Sequence, residues 1–301
     1  MSAVKVGVTL KMYDYATLRP KPMAEIVAQA RRAEQLGFDS VWVMDHLLIQ
    51  RSDRRVLAHD PMLCLAQVAA ATSRIQLGSM VLCHGFRHAG QLAREASALA
   101  DASSGRFVLG LGAGWHRPEF DALGLPFDHK VSRLEEAVEP VRRLLAGETV
   151  SFAGEWLQLS NASVAVTSKP PPLWIAADGP RMLAVAAKAD GWSHSNWGAG
   201  NTRPFRDAMA RFDRVLESAG RDRGTIEVSA SIACAPGGWP RVPGGFQEDE
   251  VAQGPLEDLA RIIGDYADAG AQHVILSLSP DPYAELDSDR LEAAAPLLEL
   301  L

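Results

Sequence analysis

The sequence predicts an α/β protein of the (β/α)8 barrel class, one domain over residues 1–301 with insertions after the fourth and seventh strands. Two observations carry this expectation. Eight strand-like segments each lead into a helix-like one, in a length somewhat above the ~250 residues usual for such a barrel. The first strand also lacks the Gly-x-Gly-x-x-Gly turn that a doubly wound open sheet would carry.

Val4 to Leu10 is apolar and β-branched, a first strand, and Lys11 to Pro22 is a polar loop closed by two prolines. Ala24 to Leu36 sets Ile26, Ala30 and Ala33 on one helical face and stops at Gly37, suited to a C-terminal cap. The apolar run Val41-Trp42-Val43-Met44 is the second strand and ends abruptly at Asp45-His46. Leu47 to Asp60, rich in Arg and Asp, reads as a mobile connection. Pro61 to Ala71 is the second helix, Ile75 to Cys83 the third strand, Gln91 to Ala102 the third helix and Arg106 to Gly114 the fourth strand.

Past Trp115 the alternation is interrupted, and the insertion spans about residues 116–170. His116 to Phe127 is a short insertion, Ser132 to Leu145 a helix, and Gly147 to Ser163 a hairpin or irregular excursion with Gly154 at its turn. After Pro170-Pro171-Pro172, Leu173 to Ala177 is the fifth strand and Arg181 to Lys188 a helix. Gly191 to Asn196 is the sixth strand, Phe205 to Ala219 its helix and Thr225 to Cys234 the seventh strand. Pro236 to Gly245, rich in Gly and Pro, reads as a flexible lid or disordered segment. Leu256, Leu259, Ala260, Ile263 and Ala267 mark a helix closed by Gly270, His273 to Ser279 is the eighth strand, and Arg290 to Leu301 the last helix.

Composition narrows the partners. A net charge of −7 speaks against a general nucleic-acid binder or a basic membrane-surface protein, so a small-molecule substrate is expected. Three cysteines without a Cys-x-x-Cys pair suggest neither a disulfide framework nor a cysteine metal site. No leader-like start and no apolar run near ~20 residues is present, and a cytoplasmic protein is expected.

Three stretches could carry chemistry. Asp45 and His46 stand where a barrel strand delivers residues to its site, though a capping Asp and a loop His fit the same pattern. Gly110, Gly112 and Gly114 alternate along one face, which suits either a flat ligand or close strand packing. Ala176-Ala177-Asp178-Gly179-Pro180-Arg181 lies at a strand-to-helix turn whose exposed amides and Arg181 suit a phosphate, with Asp178 an adverse charge. Ser193-His194-Ser195 falls within a strand and makes no nucleophile elbow. His84 and His88 lack the intervening Glu of a zinc helix and read as solvent-facing.

Together these residues resemble the luciferase-like monooxygenase superfamily, in its branch of deazaflavin (coenzyme F420)-dependent oxidoreductases. The resemblance rests on 33–46 (AEQLGFDSVWVMDH), 77–81 (LGSMV), 109–115 (LGLGAGW) with Glu119-Phe120 and 124–127, and 172–183 (PLWIAADGPRML) with 189–192. It implies a flavin-like ring at the carboxyl ends of the strands, with His46 as general acid or base and Asp45 beside it. It further implies a non-prolyl cis peptide at or next to Met80-Val81 behind the ring. Cys83, Gly112, Ala113 and Gly114 would join the cofactor site, and Ala176, Ala177, Asp178, Gly179, Pro180 and Arg181 would take the cofactor phosphate.

Two departures matter: the family pattern has glycine where Asp178 stands, and sugar-phosphate dehydrogenases of the branch carry a carboxylate where Trp115 stands. Trp115 is therefore expected to wall a substrate pocket of another kind. The leading expectation is hydride transfer between F420 and a small organic substrate. The alternatives are an FMNH2-dependent two-component monooxygenase with a separate flavin reductase, and a non-catalytic flavin-type ligand binder. The resemblance also implies a homodimer, and the Arg- and Ala-rich composition is compatible with a high-GC bacterium.

Overall fold

A computed structural model of the chain describes residues 4–14, 19–51, 54–195, 201–238, 251–278 and 290–301. Eight parallel strands form the barrel: β1 (Lys5–Thr9), β2 (Ser40–Val43), β3 (Gln76–Ser79), β4 (Phe107–Gly112), β5 (Leu173–Ala176), β6 (Gly191–Ser195), β7 (Glu227–Pro236) and β8 (His273–Ser277). Each pairs with the next in chain order, and β8 pairs with β1 through Lys5↔His273, so the sheet has no open edge. The helices are α1 (Met23–Leu36), α2 (Pro61–Ala71), α3 (Ala89–Ala102), α4 (Arg117–Leu123), α5 (Lys130–Leu145), α6 (Pro180–Ala186), α7 (Arg203–Ser218), α8 (Leu256–Asp268), α9 (Arg290–Ala294) and α10 (Leu297–Leu300).

Local sequence explains where these elements begin and end. Gly37 closes α1 at φ 91°, a left-handed conformation that costs glycine little. Asp60 caps α2 by accepting from the Leu63 amide, with Pro61 at the first helical position. Ile26, Ala30 and Ala33 of α1 are all buried against the barrel.

The barrel interior is filled by two stacked indoles rather than by layers of branched aliphatic residues. Trp42 of β2 and Trp174 of β5 lie 5.1 Å apart with rings 28° from parallel, beside Met80, Val108 and Ile275. Glycines make the room. A Cβ on Gly78 would lie 2.3 Å from the Trp42 ring, and one on Gly191 2.3 Å from that of Trp174.

Below the indoles the interior is polar. Trp42 Nε1 donates to Ser40 Oγ at 2.7 Å, Ser40 Oγ lies 2.7 Å from His273 Nε2, and the His273 ring sits edge-on to both tryptophans. His273 Nδ1 lies 3.7 Å from Glu227, which accepts from Lys5 Nζ at 2.9 Å.

Both expected insertions are present. After β4 come α4 and, past α5, an antiparallel hairpin of Val150–Ala153 with Gln158–Ala162, with Gly154 at its turn. Glu136 of α5 anchors that turn by accepting from the amides of Glu155, Trp156 and Leu157. After β7, Ala252–Gly254 adds in parallel to its last residues. The segment expected as a lid, Pro236 to Gly245, lies mostly outside the described residues.

Two expectations are corrected. The connection after His46 is an antiparallel hairpin, Leu48–Arg51 with Arg54–Leu57, whose Leu48 is buried and whose Ile49 and Val56 join the main core. Its apolar residues stand at the two ends of the stretch, Leu48-Ile49 and Val56-Leu57, and face each other across the hairpin, with the charged residues between them, so a reading by composition sees only the charge. The last helix is two short ones, α9 and α10, broken at Pro296, which offers no amide to continue the first.

Burial by itself would raise the Glu227 carboxyl, yet its contacts with His273 and Lys5 bring it down to about 2. A carboxylate lowered on folding contributes stability above its unfolded value, near ~4.3, and loses it as pH falls through the folded value. The stability difference between the protein and Glu227→Gln is therefore expected to be constant above about pH 5 and to shrink toward pH 2. Urea midpoints across that range measure it, and a pH-independent difference counts against the pairing.

Candidate active site

The extended chain leaving β2 sends neighbouring side chains to opposite sides, and this separates Asp45 from His46. Asp45 is buried outside the barrel wall. Its Oδ2 accepts from the Cys83 amide at 2.9 Å, and both carboxylate oxygens are engaged by the Arg87 guanidinium. Burial pushes the Asp45 carboxyl up, and Arg87 pulls against it. Asp45 is expected beside His46; the structure places its carboxylate on the Cys83 amide and Arg87, where it ties the end of β2 to the chain after β3. Arg87 also reaches Asp60 Oδ2 at 2.9 Å, so the same guanidinium steadies the start of α2.

His46 turns the other way. Its Nδ1 lies 3.3 and 3.2 Å from the two carboxylate oxygens of Glu119, and Glu119 Oε1 also accepts from the Leu48 amide at 3.1 Å. Glu119 is 2% exposed. The Trp115 ring meets His46 edge-on at 5.7 Å while remaining 60% exposed, and His116 lies 6.4 Å from His46. His116 Nε2 accepts from the Gln50 amide at 3.2 Å. Burial lowers the pKa of His116; the nearby Glu119 charge opposes this and His46 adds to it.

Under this cluster the third and fourth strands approach unusually closely. The Met80–Val81 bond is cis, at the expected position. A Cβ on Gly110 would lie 2.0 Å from the Ser79 carbonyl oxygen, and one on Gly112 2.5 Å from Val81. The glycine stripe is therefore explained first by strand packing: the room beside Gly112 belongs to Val81, which stays partly exposed with Ala113 and Gly114. Met80 is buried among the barrel tryptophans. Cys83 packs where a Cβ of Gly114 would stand, its thiol pushed up to about 12 by burial and so uncharged.

The turn after β5 has two of its charges already occupied. Ala177 is buried, with its carbonyl accepting from Trp192 Nε1, whereas Asp178, Gly179, Pro180 and Arg181 are exposed. Asp178 Oδ1 lies 2.9 Å from His194 Nδ1. Arg181 donates twice to Glu135 and once to Ser132 of α5, so its guanidinium is directed to a neighbouring helix. Space beside Gly179 is open. His84, expected at the surface, is buried, and burial lowers its pKa to about 4; His88 is exposed and caps α3 at the Gly90 amide.

A profile of the luciferase-like monooxygenase family matches residues 5–272. The chain belongs to that family. A 5,10-methylenetetrahydromethanopterin reductase of Methanolobus tindarius is 30% identical over 267 residues, 88% of this chain and 74% of its own length. An F420-dependent hydroxymycolic acid dehydrogenase of Mycobacterium tuberculosis is 34% identical over 240 residues, covering 77% of this chain and 63% of that protein. The solved structure of an F420-dependent secondary alcohol dehydrogenase with an F420-acetone adduct has the same fold, with TM-score 0.78 at 20% identity over 97% of this chain and 99% of that one.

Within this luciferase-like barrel, sequence reasoning missed the partners of its two chosen residues. Glu119 stands 73 positions from His46, and Arg87 42 positions from Asp45. The signal for Glu119 was its presence among the family-like residues, as an acidic side chain just before Phe120. Replacing Arg87 with Met leaves the Asp45 carboxyl buried without its partner and is expected to cost about 3–5 kcal/mol. The double variant Asp45→Asn/Arg87→Met recovers much of that in denaturant melts; equal destabilisation by both variants argues against the pair as an anchor.

Proposed function

We propose that this protein is an F420-dependent oxidoreductase that transfers a hydride between the deazaflavin and a small organic substrate, with His46 moving the accompanying proton. The observation that carries the reading is the imidazole at the carboxyl end of β2, with Nδ1 occupied by Glu119 and Nε2 left for proton exchange. Relatives that are F420-dependent by name support the choice of cofactor.

The residues present fit the ring better than they fit an arginine-bound phosphate. Val81, Ala113 and Gly114 offer a partly exposed apolar backing beside His46. The buried hydroxyls of Ser193, Ser229 and Ser231 inside the barrel have no protein partner and suit a polar ring edge or water. Arg181 is engaged by Glu135, so the phosphate would rely on the open approach to Gly179 and the amides that follow it.

When bound, the deazaflavin supplies the two-electron hydride chemistry. His46 gives or takes a proton at Nε2, Trp115 walls the substrate side and helps exclude water, and Met80, Val81, Cys83 and the 112–114 turn hold the ring's surroundings rigid. Asp45 contributes only through the geometry of the β2 end. The same imidazole would serve an FMNH2-dependent monooxygenase fed by a separate reductase, so the cofactor decides between the two.

Equilibrium titrations with oxidised F420 and with FMN, followed by fluorescence, make that decision. Tight binding of F420 and weak binding of FMN is the expected result; the reverse preference sinks hydride transfer from F420. His46→Ala is expected to keep cofactor affinity within about threefold while lowering turnover by about 10²–10⁴.

We read the chain as one cytoplasmic domain that pairs as a homodimer. Helix α2 has no charged residue, and its outward face carries Leu63, 64% exposed, with Ala66, Gln67 and Ala70. Leu63→Lys is expected to shift the protein from dimer to monomer in light scattering with little loss of melting temperature. No change in mass counts against this face.

A further inference from the structure

We propose that Glu119 is a positioning residue: one buried carboxylate fixes His46 in its Nδ1–H tautomer and also fastens the strand Leu48–Arg51 beside it. This rests on His46 being the proton-moving group proposed above.

An ionised carboxylate only accepts hydrogen bonds, and a buried one is costly unless donors surround it. Two donors face Glu119. The Leu48 amide is a donor in every state of the protein. His46 Nδ1 lies within 3.3 Å of both carboxylate oxygens and meets them favourably only if it bears a proton. A neutral His46 therefore has a bare Nε2, the nitrogen available for taking a proton. Carboxylate-oriented histidines in other enzymes lose about 10⁴ in turnover when an amide replaces the carboxylate and the tautomer inverts.

The hairpin belongs to the same arrangement. Leu48 and Gln50 are two apart on one strand, so their amides leave the same edge. That edge is not free: Leu48 donates to Glu119 and Gln50 to His116 Nε2. Both acceptors come from the start of α4, His116 and Glu119 standing three positions apart just after Trp115. Trp115, His116 and Glu119 thus supply the wall next to His46, the tie for Gln50, and the tie shared by Leu48 and His46. Displacing the hairpin removes a donor from Glu119, and displacing Glu119 frees both the hairpin edge and the imidazole.

The test is nitrogen NMR of the full chain labelled with ¹⁵N-histidine, in which the His46 signals are assigned by their loss in His46→Gln. In the unaltered protein near pH 8, His46 is expected to show a protonated Nδ1 and a bare Nε2. In Glu119→Gln the amide oxygen can keep the Leu48 bond while its NH2 faces His46, so the proton moves to Nε2. Turnover then falls by about 10²–10⁴ with KM changed less than about threefold. Glu119→Asp keeps the Nδ1–H signature. His116→Gln, which can still accept from Gln50, leaves the His46 pattern as it was.

A protonated Nε2 in the unaltered protein, or no change in Glu119→Gln, overturns the proposal. If Glu119→Gln does not fold, the spectrum of the unaltered protein still decides it. No cofactor is needed for the spectrum, so failure of F420 to bind leaves this outcome distinct from failure of the proposed reaction.

Discussion

The constraint on which the rest of the structure depends is the volume inside the barrel. An eight-stranded barrel has an interior just wide enough for side chains to fill, and here two indoles occupy its centre. Each needs a facing strand without a side chain, and Gly78 and Gly191 meet that need. Gly7 belongs to the same layer, since a Cβ there would collide with Ser40 Oγ and crowd Trp42 Nε1. The indole N–H of Trp42 in turn requires a buried acceptor, which Ser40 supplies, and Ser40 brings His273 with it. One choice of bulky core residue therefore dictates glycines on three strands and a polar layer below.

The site above inherits this rigidity. The close approach of β3 and β4, permitted by Gly110 and Gly112, brings the Met80–Val81 bond against the barrel mouth. From the other side, Asp45 and Arg87 bind the end of β2 to the start of the loop after β3. His46 is thus carried on a chain whose neighbours are fixed on both sides. Its ring orientation is a separate matter, and that task falls to Glu119 from a segment outside the barrel. Backbone placement comes from the barrel; the direction of the imidazole comes from the first insertion.

Much of this was legible in the sequence, because strand burial and helix amphipathicity are local patterns. The eight strands, the Gly154 turn and the cap at Gly37 follow from residues within a few positions of one another. The long-range partners were not legible, since no periodicity links His46 to Glu119 or Asp45 to Arg87. Alternation along the chain does separate Asp45 from His46, since two adjacent extended residues cannot both face the site. The hairpin after His46 was hidden because the Arg and Asp residues at its centre outweigh, in composition, the apolar pairs Leu48-Ile49 and Val56-Leu57 that flank them. In the family, resemblance marked which acidic residue to watch without saying what it touched.

Charge at the turn after β5 sharpens the contrast between motif and site. As a string, residues 176–181 combine an arginine with exposed amides and look made for an anion. In the folded chain Arg181 is drawn to Glu135, so its charge is balanced before any ligand arrives, and the Asp178 carboxylate lies 2.9 Å from His194 Nδ1. What the turn still offers an anion is backbone dipole and open space beside Gly179, which select by shape and approach rather than by net charge. The strongly directed groups lie instead on the opposite side of the mouth, at His46, His116 and Glu119. The open backbone beside Gly179 and the directed side chains of His46, His116 and Glu119 are thus carried by different strands and connections, so the first insertion positions the latter without touching the turn after β5.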